Sequence, residues 1–335
     1  MVASMLNDKL AGFAPPSNFS NIMASDLAPV VFIKEKENFL PFISDGILAL
    51  LSPIVAYWTY SMIFHLIDVY ELAEKYRIHP SEEEQARNKA SLSEVVKDVL
   101  FQHLVQTCVG LVVIHLDPPQ TTGHEIDVMW RLRKYHLPSY VSDEMLWYGY
   151  MYGWTVLRIC IAIGIIDSWQ YWLHRFMHIN KTLYRRFHSR HHRLYVPFAF
   201  GALYNDPVEG FLLDTLGTGV ASLATRLSHK EAVFLYTFAT LKTVDDHCGY
   251  RLPFDLFQIL FPNNALYHDI HHQTWGIKSN FSQPFFTIWD KLSDTDYKFI
   301  DEYKSMQKHI TLTKYREFLE TKKKKRGGEK VEKMD

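Results

Sequence analysis

The stretch "GILALLSPIVAYWTYSMIFHLID", residues 46–68, decides the fold. It is apolar over about the 20 residues that a helix needs to cross the hydrocarbon core of a bilayer. Two more stretches have this length and character, "VVKDVLFQHLVQTCVGLVVIHL" at 95–116 and "WYGYMYGWTVLRICIAIGIID" at 147–167. Polar residues interrupt the three stretches and leave buried helices of a large soluble protein as the alternative: His65, Lys97, Asp98, His103 and Arg158. We predict an all-α integral membrane protein with three spanning helices.

Two shorter apolar segments, 211–225 and 231–244, predict a helical hairpin, because the charged link "RLSHK" between them cannot lie within a membrane. Each arm is short, so the hairpin either spans the bilayer or only enters it. The predicted fold is a multi-pass helical bundle of three spanning helices and this hairpin, capped by a histidine-rich domain. The expected organisation is an N-terminal segment at 1–45, spanning helices at 46–167, a histidine-rich domain at 168–320 that includes the hairpin 211–244, and a basic disordered tail at 321–335.

Basic residues in the loops predict how the chain crosses the membrane. The loop at 69–94 and its flank carry Lys75, Arg77, Arg87, Lys89 and Lys97, whereas the loop at 117–146 carries Arg131, Arg133 and Lys134. Cytosolic loops are enriched in Lys and Arg, so the first loop is predicted to be cytosolic, and the second loop and the N-terminal segment lumenal. The third helix then crosses to the cytosolic side, where residue 168 lies. A helical hairpin begins and ends on the same side of the membrane. Everything after the third helix except the tip of the hairpin is therefore predicted to lie in the cytosol.

The overall charge argues against one class of partner. Lys and Arg number 36 and Asp and Glu number 37, so no electrostatic attraction to nucleic acid is expected. Aromatic residues make up 15% of the chain, which suits membrane interfaces or an apolar ligand tunnel. The composition thus favours a lipid environment over a nucleic-acid partner.

Histidines follow the third apolar stretch in a repeated pattern. "DSWQYWLHRFMH" at 167–178 holds two histidines four residues apart, "HSRHH" at 188–192 and "HDIHH" at 268–272 both spell His-x-x-His-His, and "TVDDHCGY" at 243–250 adds one more. Residues four apart share one face of a helix, so their imidazoles point the same way. With 17 histidines in 335 residues, two copies of His-x-x-His-His arise by chance in roughly one such chain in a thousand. The nine candidate metal ligands are His174, His178, His188, His191, His192, His247, His268, His271 and His272.

Nine imidazoles are too many for one metal ion, so the pattern predicts two. Imidazole suits zinc, copper, iron and nickel alike, and the chain lacks the HExxH motif of hydrolytic zinc sites. A site that opens onto apolar helices indicates attack on the C–H bonds of a lipid, which calls for iron and dioxygen. No catalytic residue is predicted beyond the metal ligands.

Other polar residues near these motifs carry weaker predictions. Six carboxylates are expected to orient the imidazole rings, with ion pairs or helix caps as the alternative: Asp167, Asp206, Glu209, Asp245, Asp246 and Asp269. Five arginines flank the candidate ligands and could contact an acidic protein or lipid headgroups: Arg175, Arg185, Arg186, Arg190 and Arg193. His65 and His103 suit either the membrane interface or a tunnel. The remaining histidines are expected at the surface: His79, His115, His124, His136, His229 and His309.

The combination of HxxxH, HxxHH and HxxHH resembles the fatty acid hydroxylase superfamily of membrane di-metal oxygenases. Four stretches are similar to the fungal and plant sphinganine C4-hydroxylases within it: "AEKYRIHPSEE", "YVPFAFGALYNDPVEGFLLDTLGTG", "TFATLKTVDDHCGY" and "LFPNNALYHDIHHQTWGIKSNFSQPFFTIWD". The resemblance covers roughly residues 43–318. It implies that residues 168–320 form the catalytic domain and that the nine histidines are the ligands. One departure is Thr243, because related lipid hydroxylases often have a second histidine four residues before the one at 247. A water or a carboxylate would then complete that metal's coordination.

The resemblance also implies cofactors, partners and location. Two iron ions would be reduced by electrons from NADPH, which pass through a reductase and cytochrome b5, and would activate O2. One oxygen atom would enter at C4 of a long-chain sphingoid base or ceramide, giving phytosphingosine from sphinganine or phytoceramide from dihydroceramide. The enzyme would lie in the bilayer of the endoplasmic reticulum with its active site facing the cytosol. The alternatives are a desaturase, or a sterol or fatty acid hydroxylase, on the same scaffold, and a metal transporter or sensor that uses the histidines as carriers.

Overall fold

The computed structural model describes residues 14–332. Residues 1–13 of the expected N-terminal segment and 333–335 of the expected tail lie outside this range. The helices α1–α8 are Phe19–Ala24, Asp45–Val69, Ser81–Arg87, Leu92–Leu116, Glu125–Tyr135, Asp143–Tyr148, Trp154–Ile179 and Lys181–Arg186. The helices α9–α15 are Pro207–Gly210, Gly217–Thr225, His229–Asp246, Leu256–Leu260, Ala265–His272, Ile288–Ser293 and Ile300–Glu332.

Short elements connect these helices. Glu74–Tyr76, His188–Arg193 and Ala199–Leu203 are 3₁₀ turns, and Gly149–Gly153 and Phe211–Leu216 are π-helical turns. Strand β1 (Lys34–Glu35) pairs antiparallel with β2 (Thr121–Thr122). The described chain is therefore mostly helical, and the predicted all-α fold is confirmed.

Three helices are long and apolar enough to cross a membrane: α2, α4 and the continuous run Asp143–Ile179 that joins α6 to α7. Serine side chains begin the first two, since the hydroxyls of Ser44 and Ser91 accept hydrogen bonds from backbone N–H groups one turn later. Large apolar side chains cover the outer surfaces of the spanning helices, for example the exposed Leu100 and Val112 on α4 and Val156 on α7. A surface of this kind belongs in lipid. The protein is thus a multi-pass membrane protein.

The third spanning run is longer than the predicted 147–167. It continues without a break through the HxxxH motif to Ile179, and it spans 37 residues. The extension follows from the sequence 168–179, which has no Gly or Pro and alternates buried with outward-facing side chains at helical spacing. The first candidate ligands are therefore held on the same rigid helix that crosses the membrane.

The predicted hairpin is present. Its first arm comprises α9, the second π-helical turn and α10, and its second arm is α11, which begins at a capping box between Ser228 and Glu231. At the tip, His229 Nε2 lies 2.9 Å from a carboxylate oxygen of Asp117, the residue that follows α4. The hairpin therefore runs the whole length of the bundle, with α10 along α7 and α11 along α2.

The loops separate into two groups at opposite ends of the bundle. At one end, Lys89 donates from its backbone N–H to the carbonyl of Arg193 at 2.8 Å, and Arg190 pairs with Asp98 at 2.8 Å. At the other end, Trp130 donates from Nε1 to the carbonyl of Ser25 at 2.9 Å. The loop after α2 and the histidine-bearing segments thus share one end, while the N-terminal segment and the loop after α4 share the other.

The C-terminal segment differs from its predicted state. Disorder is expected at 321–335, whereas α15 continues as helix to Glu332. Lys, Arg and Glu have high intrinsic helix propensity, and here they extend a helix that is already nucleated. The basic composition therefore does not end the helix at residue 320.

Candidate metal centre

Five histidines from three elements form the first group: His174 and His178 on α7, His188 and His192 on the 3₁₀ turn His188–Arg193, and His271 on α13. Their candidate ligand atoms all lie within 4.8 Å of one another. The Nε2 atom of His188 is 3.0 Å from that of His174 and 3.0 Å from that of His192. Five buried or half-buried imidazoles thus direct their nitrogens to one point.

Four histidines form the second group: His191, His247, His268 and His272, all of them buried. The Nε2 atom of His268 lies 3.0 Å from those of His247 and His272. The Nε2 atoms of His247 and His191 are 3.4 Å apart. This group lies directly beside the first, since the rings of His191 and His192 have centroids 5.7 Å apart.

The two copies of His-x-x-His-His do not form one group each. "HSRHH" contributes its first and last histidines to the five-membered group and its middle one, His191, to the four-membered group. "HDIHH" does the reverse, with His271 in the first group and His268 and His272 in the second. Each copy therefore contributes histidines to both groups, and the nine histidines form one composite centre.

The ring protonation of the second group fits a metal ion. His191 Nδ1 lies 3.1 Å from the carbonyl of Tyr204, and His247 Nδ1 lies 2.8 Å from the carbonyl of Thr243. A carbonyl only accepts, so both Nδ1 atoms carry the proton and both Nε2 atoms present lone pairs. Two facing lone pairs do not form a hydrogen bond, and a cation between them satisfies both. Burial lowers the pKa of His191 to about 4, so this ring is neutral and able to bind a metal.

The first group has the same arrangement. His174 Nδ1 donates to the carbonyl of Phe281 at 2.8 Å, and His271 Nδ1 donates to the carbonyl of Ser279 at 2.7 Å. The Nε2 atom of His271 is buried and has no hydrogen-bond partner among the described residues. A buried nitrogen without a partner is costly, and a metal ion at this point would remove the cost.

Thr243 is not part of either group. Its carbonyl orients His247, and its hydroxyl donates to the carbonyl of Ala239 at 3.0 Å. No carboxylate within residues 14–321 joins the four histidines of the second group. Four imidazoles are enough for a tetrahedral set, so the second group can hold an ion without a protein ligand at position 243.

One of the six carboxylates expected to orient the rings does so. Glu209 is buried on α9 and bonds to Nδ1 of His188. Carboxylates in this position fix the ring orientation of a ligating histidine and raise its basicity. The other five bond elsewhere and are corrections to the prediction: Asp167, Asp206, Asp245, Asp246 and Asp269.

Two of those five carboxylates, Asp167 and Asp206, bond to the backbone around the centre, whereas the other three bond to side chains. Asp167 accepts from the backbone N–H groups of Phe285 and Phe286 at 3.1 and 2.8 Å, and Asp206 caps α9 by accepting from Val208 at 2.9 Å. Closeness along the chain to a histidine does not determine the direction of a side chain. The sequence therefore could not separate Glu209 from its neighbours.

His79 was wrongly expected at the surface. It is 2% exposed, and its Nε2 lies 2.9 Å from Asp269, which stands between two candidate ligands on α13. Its Nδ1 lies 3.0 Å from Glu83, and Tyr303 of α15 donates to the same Asp269 at 2.7 Å. The spacing His79–Glu83 on "HPSEE" is a local signal for this contact, but the partner is 190 residues away.

A cavity of about 650 Å³ extends between α2, α4, α7 and the hairpin. At one end its lining includes Gln170, Thr243 and Pro284, next to the histidines, and at the other end it includes Asp117 and His229. From Thr243 to His229 along α11 is 14 residues, or about 21 Å of helix. The lining is mostly apolar, which suits a long hydrocarbon chain.

Of the two histidines expected at the membrane interface or in a tunnel, His103 lines this cavity and His65 does not. His103 is 6% exposed, and neither ring nitrogen has a hydrogen-bond partner among the described residues. The tunnel interpretation therefore holds for His103 alone.

The sequence profile of the fatty acid hydroxylase family matches residues 159–295, which contain all nine candidate ligands. A sphingolipid C4-hydroxylase of Saccharomyces cerevisiae is 57% identical over 92% of this chain and 86% of its own length. The chain belongs to the fatty acid hydroxylase family. Sphinganine C4-monooxygenase 1 of Arabidopsis thaliana is 43% identical over 76% of this chain and 88% of its own. A rice protein named very-long-chain aldehyde decarbonylase GL1-9 is 41% identical over 76% of this chain and 90% of its own.

No solved structure matches this chain. Membership of the family rests on sequence, whereas the arrangement of the nine imidazoles rests on the geometry described above. Both assign this chain's chemistry to the same segments, α7, the 3₁₀ turn at 188–193 and α13. The protein is therefore an enzyme of the fatty acid hydroxylase family with a histidine cluster at one end of a membrane bundle.

Proposed function

We propose that the protein is a sphingolipid C4-hydroxylase that inserts one oxygen atom from O2 at C4 of sphinganine or dihydroceramide. The observation that carries this proposal is a long, mostly apolar cavity beside two converging imidazole groups, since Thr243 in its wall binds His247 through its carbonyl. The names of the yeast and Arabidopsis relatives support the substrate class and the reacting carbon. The products would be phytosphingosine or phytoceramide.

Two iron ions fit the nine imidazoles. The first would be held by His174, His178, His188, His192 and His271, and the second by His191, His247, His268 and His272. Bound iron would supply the reduction of O2, with electrons that come from NADPH through a reductase and cytochrome b5. Zinc suits the same donor set, but attack on an unactivated C–H bond calls for a redox metal.

The protein's own residues would position the substrate and exclude water. The backbone carbonyls of Phe281 and Ser279 hold ring nitrogens of the first group in one protonation state, and Glu209 holds a third ring. The cavity holds the hydrocarbon chain and limits which carbon reaches the centre. The burial of the histidines keeps bulk water from the reacting carbon.

We place the enzyme in the endoplasmic reticulum membrane with the histidine centre facing the cytosol. The distribution of Lys and Arg between the two loops supports this orientation. Arg185 and Arg186 are exposed next to the centre, whereas Arg190 and Arg193 are paired with Asp98 and Glu94. The two exposed arginines would contact acidic cytochrome b5 or anionic lipid headgroups.

The experiment is a turnover assay on the reconstituted full-length protein. It contains sphinganine, NADPH, O2, cytochrome b5 and its reductase, and the trihydroxy base is identified by mass. We expect product from the wild type and from the control His136→Ala, whose imidazole is exposed at the opposite end of the bundle. His188→Ala should remove activity. Absence of product from the wild type, or unchanged product from His188→Ala, would refute the proposal.

The same assay tests the alternatives. A desaturase on this scaffold would give a product two mass units lighter than the substrate, and the name of the rice relative makes a long-chain aldehyde the substrate to include beside sphinganine. A metal transporter would take metal into vesicles without lipid turnover. The gathering of the histidines at one end of the bundle, rather than along the helices, favours the enzyme.

A further inference from the structure

The cavity wall carries one carboxylate near the histidine centre, that of Asp214 on the π-helical turn 211–216. Gln102 donates to one carboxylate oxygen at 2.9 Å, and Gln170 reaches the other at 3.5 Å. No Lys or Arg within residues 14–321 forms an ion pair with it. A carboxylate inside an apolar cavity is costly without a cation, and two neutral amides offset only part of that cost.

Further polar groups around Asp214 lack partners. Both ring nitrogens of His103 and the hydroxyl of Thr215 are buried, line the same cavity and make no hydrogen bond within the described residues. The side-chain carbonyl of Gln102, beside them, is also unpartnered. Buried polar groups are nearly always satisfied, so a cluster of this kind indicates a polar ligand group that enters the cavity.

The cluster lies one helical turn from the histidine centre by two routes. Asp214, in the π-helical turn, follows Glu209 of α9, the partner of His188, by five residues, which is the hydrogen-bond spacing of a π-helix. Gln170 precedes His174 by four residues on α7, so the two are neighbours on one face of that helix, about 5–6 Å apart. A ligand group bound at Asp214 would therefore place atoms a few bonds away next to the imidazoles.

We propose that Asp214 binds the C2 ammonium group of a free long-chain base, while His103 and Thr215 hydrogen-bond its hydroxyl groups. This inference rests on the proposed function and names its substrate as the free base. In sphinganine the hydroxyl-bearing C3 is bonded to C4, and the C2 amine and the C1 hydroxyl lie one and two carbons further along the chain. Holding those three groups at the cluster leaves C4 facing the histidines and the alkyl chain in the apolar part of the cavity. An N-acylated base has no ammonium and gains nothing from the charge of Asp214.

The experiment compares Asp214→Asn with the wild type on two lipids, sphinganine and dihydroceramide, in the full-length reconstituted protein. Kd is measured by equilibrium binding of each labelled lipid, and KM and kcat by turnover. The substitution keeps the size of the side chain, and the amide oxygen of the new Asn can still accept from Gln102 Nε2. We expect Kd and KM for sphinganine to rise at least about tenfold, with kcat for sphinganine and all constants for dihydroceramide changed little.

Two further variants complete the test. Asp214→Glu restores the charge and should recover much of the affinity for sphinganine. Asp127→Asn removes a carboxylate that pairs with Arg131 outside the cavity and should leave every constant unchanged. Equal changes for both lipids, no change for sphinganine, or a wild type that binds only dihydroceramide would overturn the inference. A wild type that binds sphinganine but hydroxylates neither lipid would instead refute the proposed function.

Discussion

His79 belongs to neither imidazole group, but it binds a carboxylate on α13, the helix that carries three of the candidate ligands. Its ring bridges Asp269 on α13 and Glu83 on α3, and Tyr303 of α15 binds the same Asp269. Burial lowers the pKa of His79, but the charge of Asp269 and the hydrogen bonds to Asp269 and Glu83 outweigh burial and raise the pKa to about 10. A protonated His79 therefore joins α3 to the helix that carries His271, and Tyr303 joins α15 to the same carboxylate.

We predict that His79→Ala lowers the free energy of unfolding by about 3 kcal/mol at neutral pH, because it leaves the buried Asp269 without its cation. The folded pKa of about 10 is above the ordinary value of 6.5, so the contribution is complete below about pH 6.5 and is lost as the pH rises through about 10. Thermal unfolding in detergent from pH 6.5 to 10.5 should show a difference that shrinks with pH. The exposed His136→Ala should show none, and a pH-independent difference for His79→Ala would contradict the pKa.

A second prediction at this scale concerns Glu209, which orients His188. Glu209→Ala should weaken iron binding by roughly 10–100-fold, as loss of such partners usually does. Glu209→Gln keeps an acceptor for Nδ1 and should lose less. Iron content after dialysis against a graded chelator measures the effect, and equal retention by wild type and Glu209→Ala would refute it.

Among the elements, the loop after α13 depends on one glycine. A Cβ on Gly276 would overlap the backbone oxygen of Ile270, so no larger residue fits without moving the backbone. Three residues later, the carbonyl of Ser279 holds His271 by its Nδ1 at 2.7 Å. The close approach at Gly276 therefore determines where that carbonyl lies.

Gly276→Ala should destabilise the protein by about 1–3 kcal/mol or more and reduce its metal content, because the loop must shift away from α13. Gly164 on α7 is the matched control, since a Cβ at that position would have no neighbouring atom within 4 Å. Gly164→Ala should be neutral or slightly stabilising. Melting temperature and bound iron measure both variants, and a Gly276→Ala protein that matches Gly164→Ala would contradict the steric argument.

For the whole molecule, the two ends of the bundle lead to a test of orientation. Asn18 begins α1 and lies with the loop after α4, because Trp130 in that loop donates to the carbonyl of Ser25 at the end of α1 at 2.9 Å. Asn180 begins α8 beside the histidines. Both lie in glycosylation sequons, "NFS" and "NKT", so they report the two sides of the membrane.

With the histidine centre in the cytosol, Asn18 should carry a glycan in cells and Asn180 should not. Asn18→Gln should then remove the gel shift that an endoglycosidase removes, and Asn180→Gln should change nothing. A glycan on Asn180 would invert the proposed orientation. A third sequon, "NFS" at 280–282, begins with Asn280. This side chain is buried and bonded to Tyr267 and Tyr297, so it should carry no glycan on either side of the membrane.

Much of the fold could be predicted from local patterns. The three apolar stretches have the length of a bilayer, and their ends in the structure fall within a few residues of the prediction except at Ile179. There the helix continues because polar histidines on one face do not interrupt it. The charged link at 226–230 predicted the hairpin, but its full reach is visible only from the contact between His229 and Asp117.

The sequence by itself determined which residues could form the centre, because histidines at spacings of three and four must share or adjoin one face of a helix. Only the tertiary structure decided how they divide, with His188 and His191 of one motif in different groups. It also decided that Glu209 orients a ring and that Asp214 lies in the cavity wall. The physical reason is that spacing along the chain sets the direction of a side chain relative to its own helix. The partner it meets depends on how helices far apart in sequence pack together.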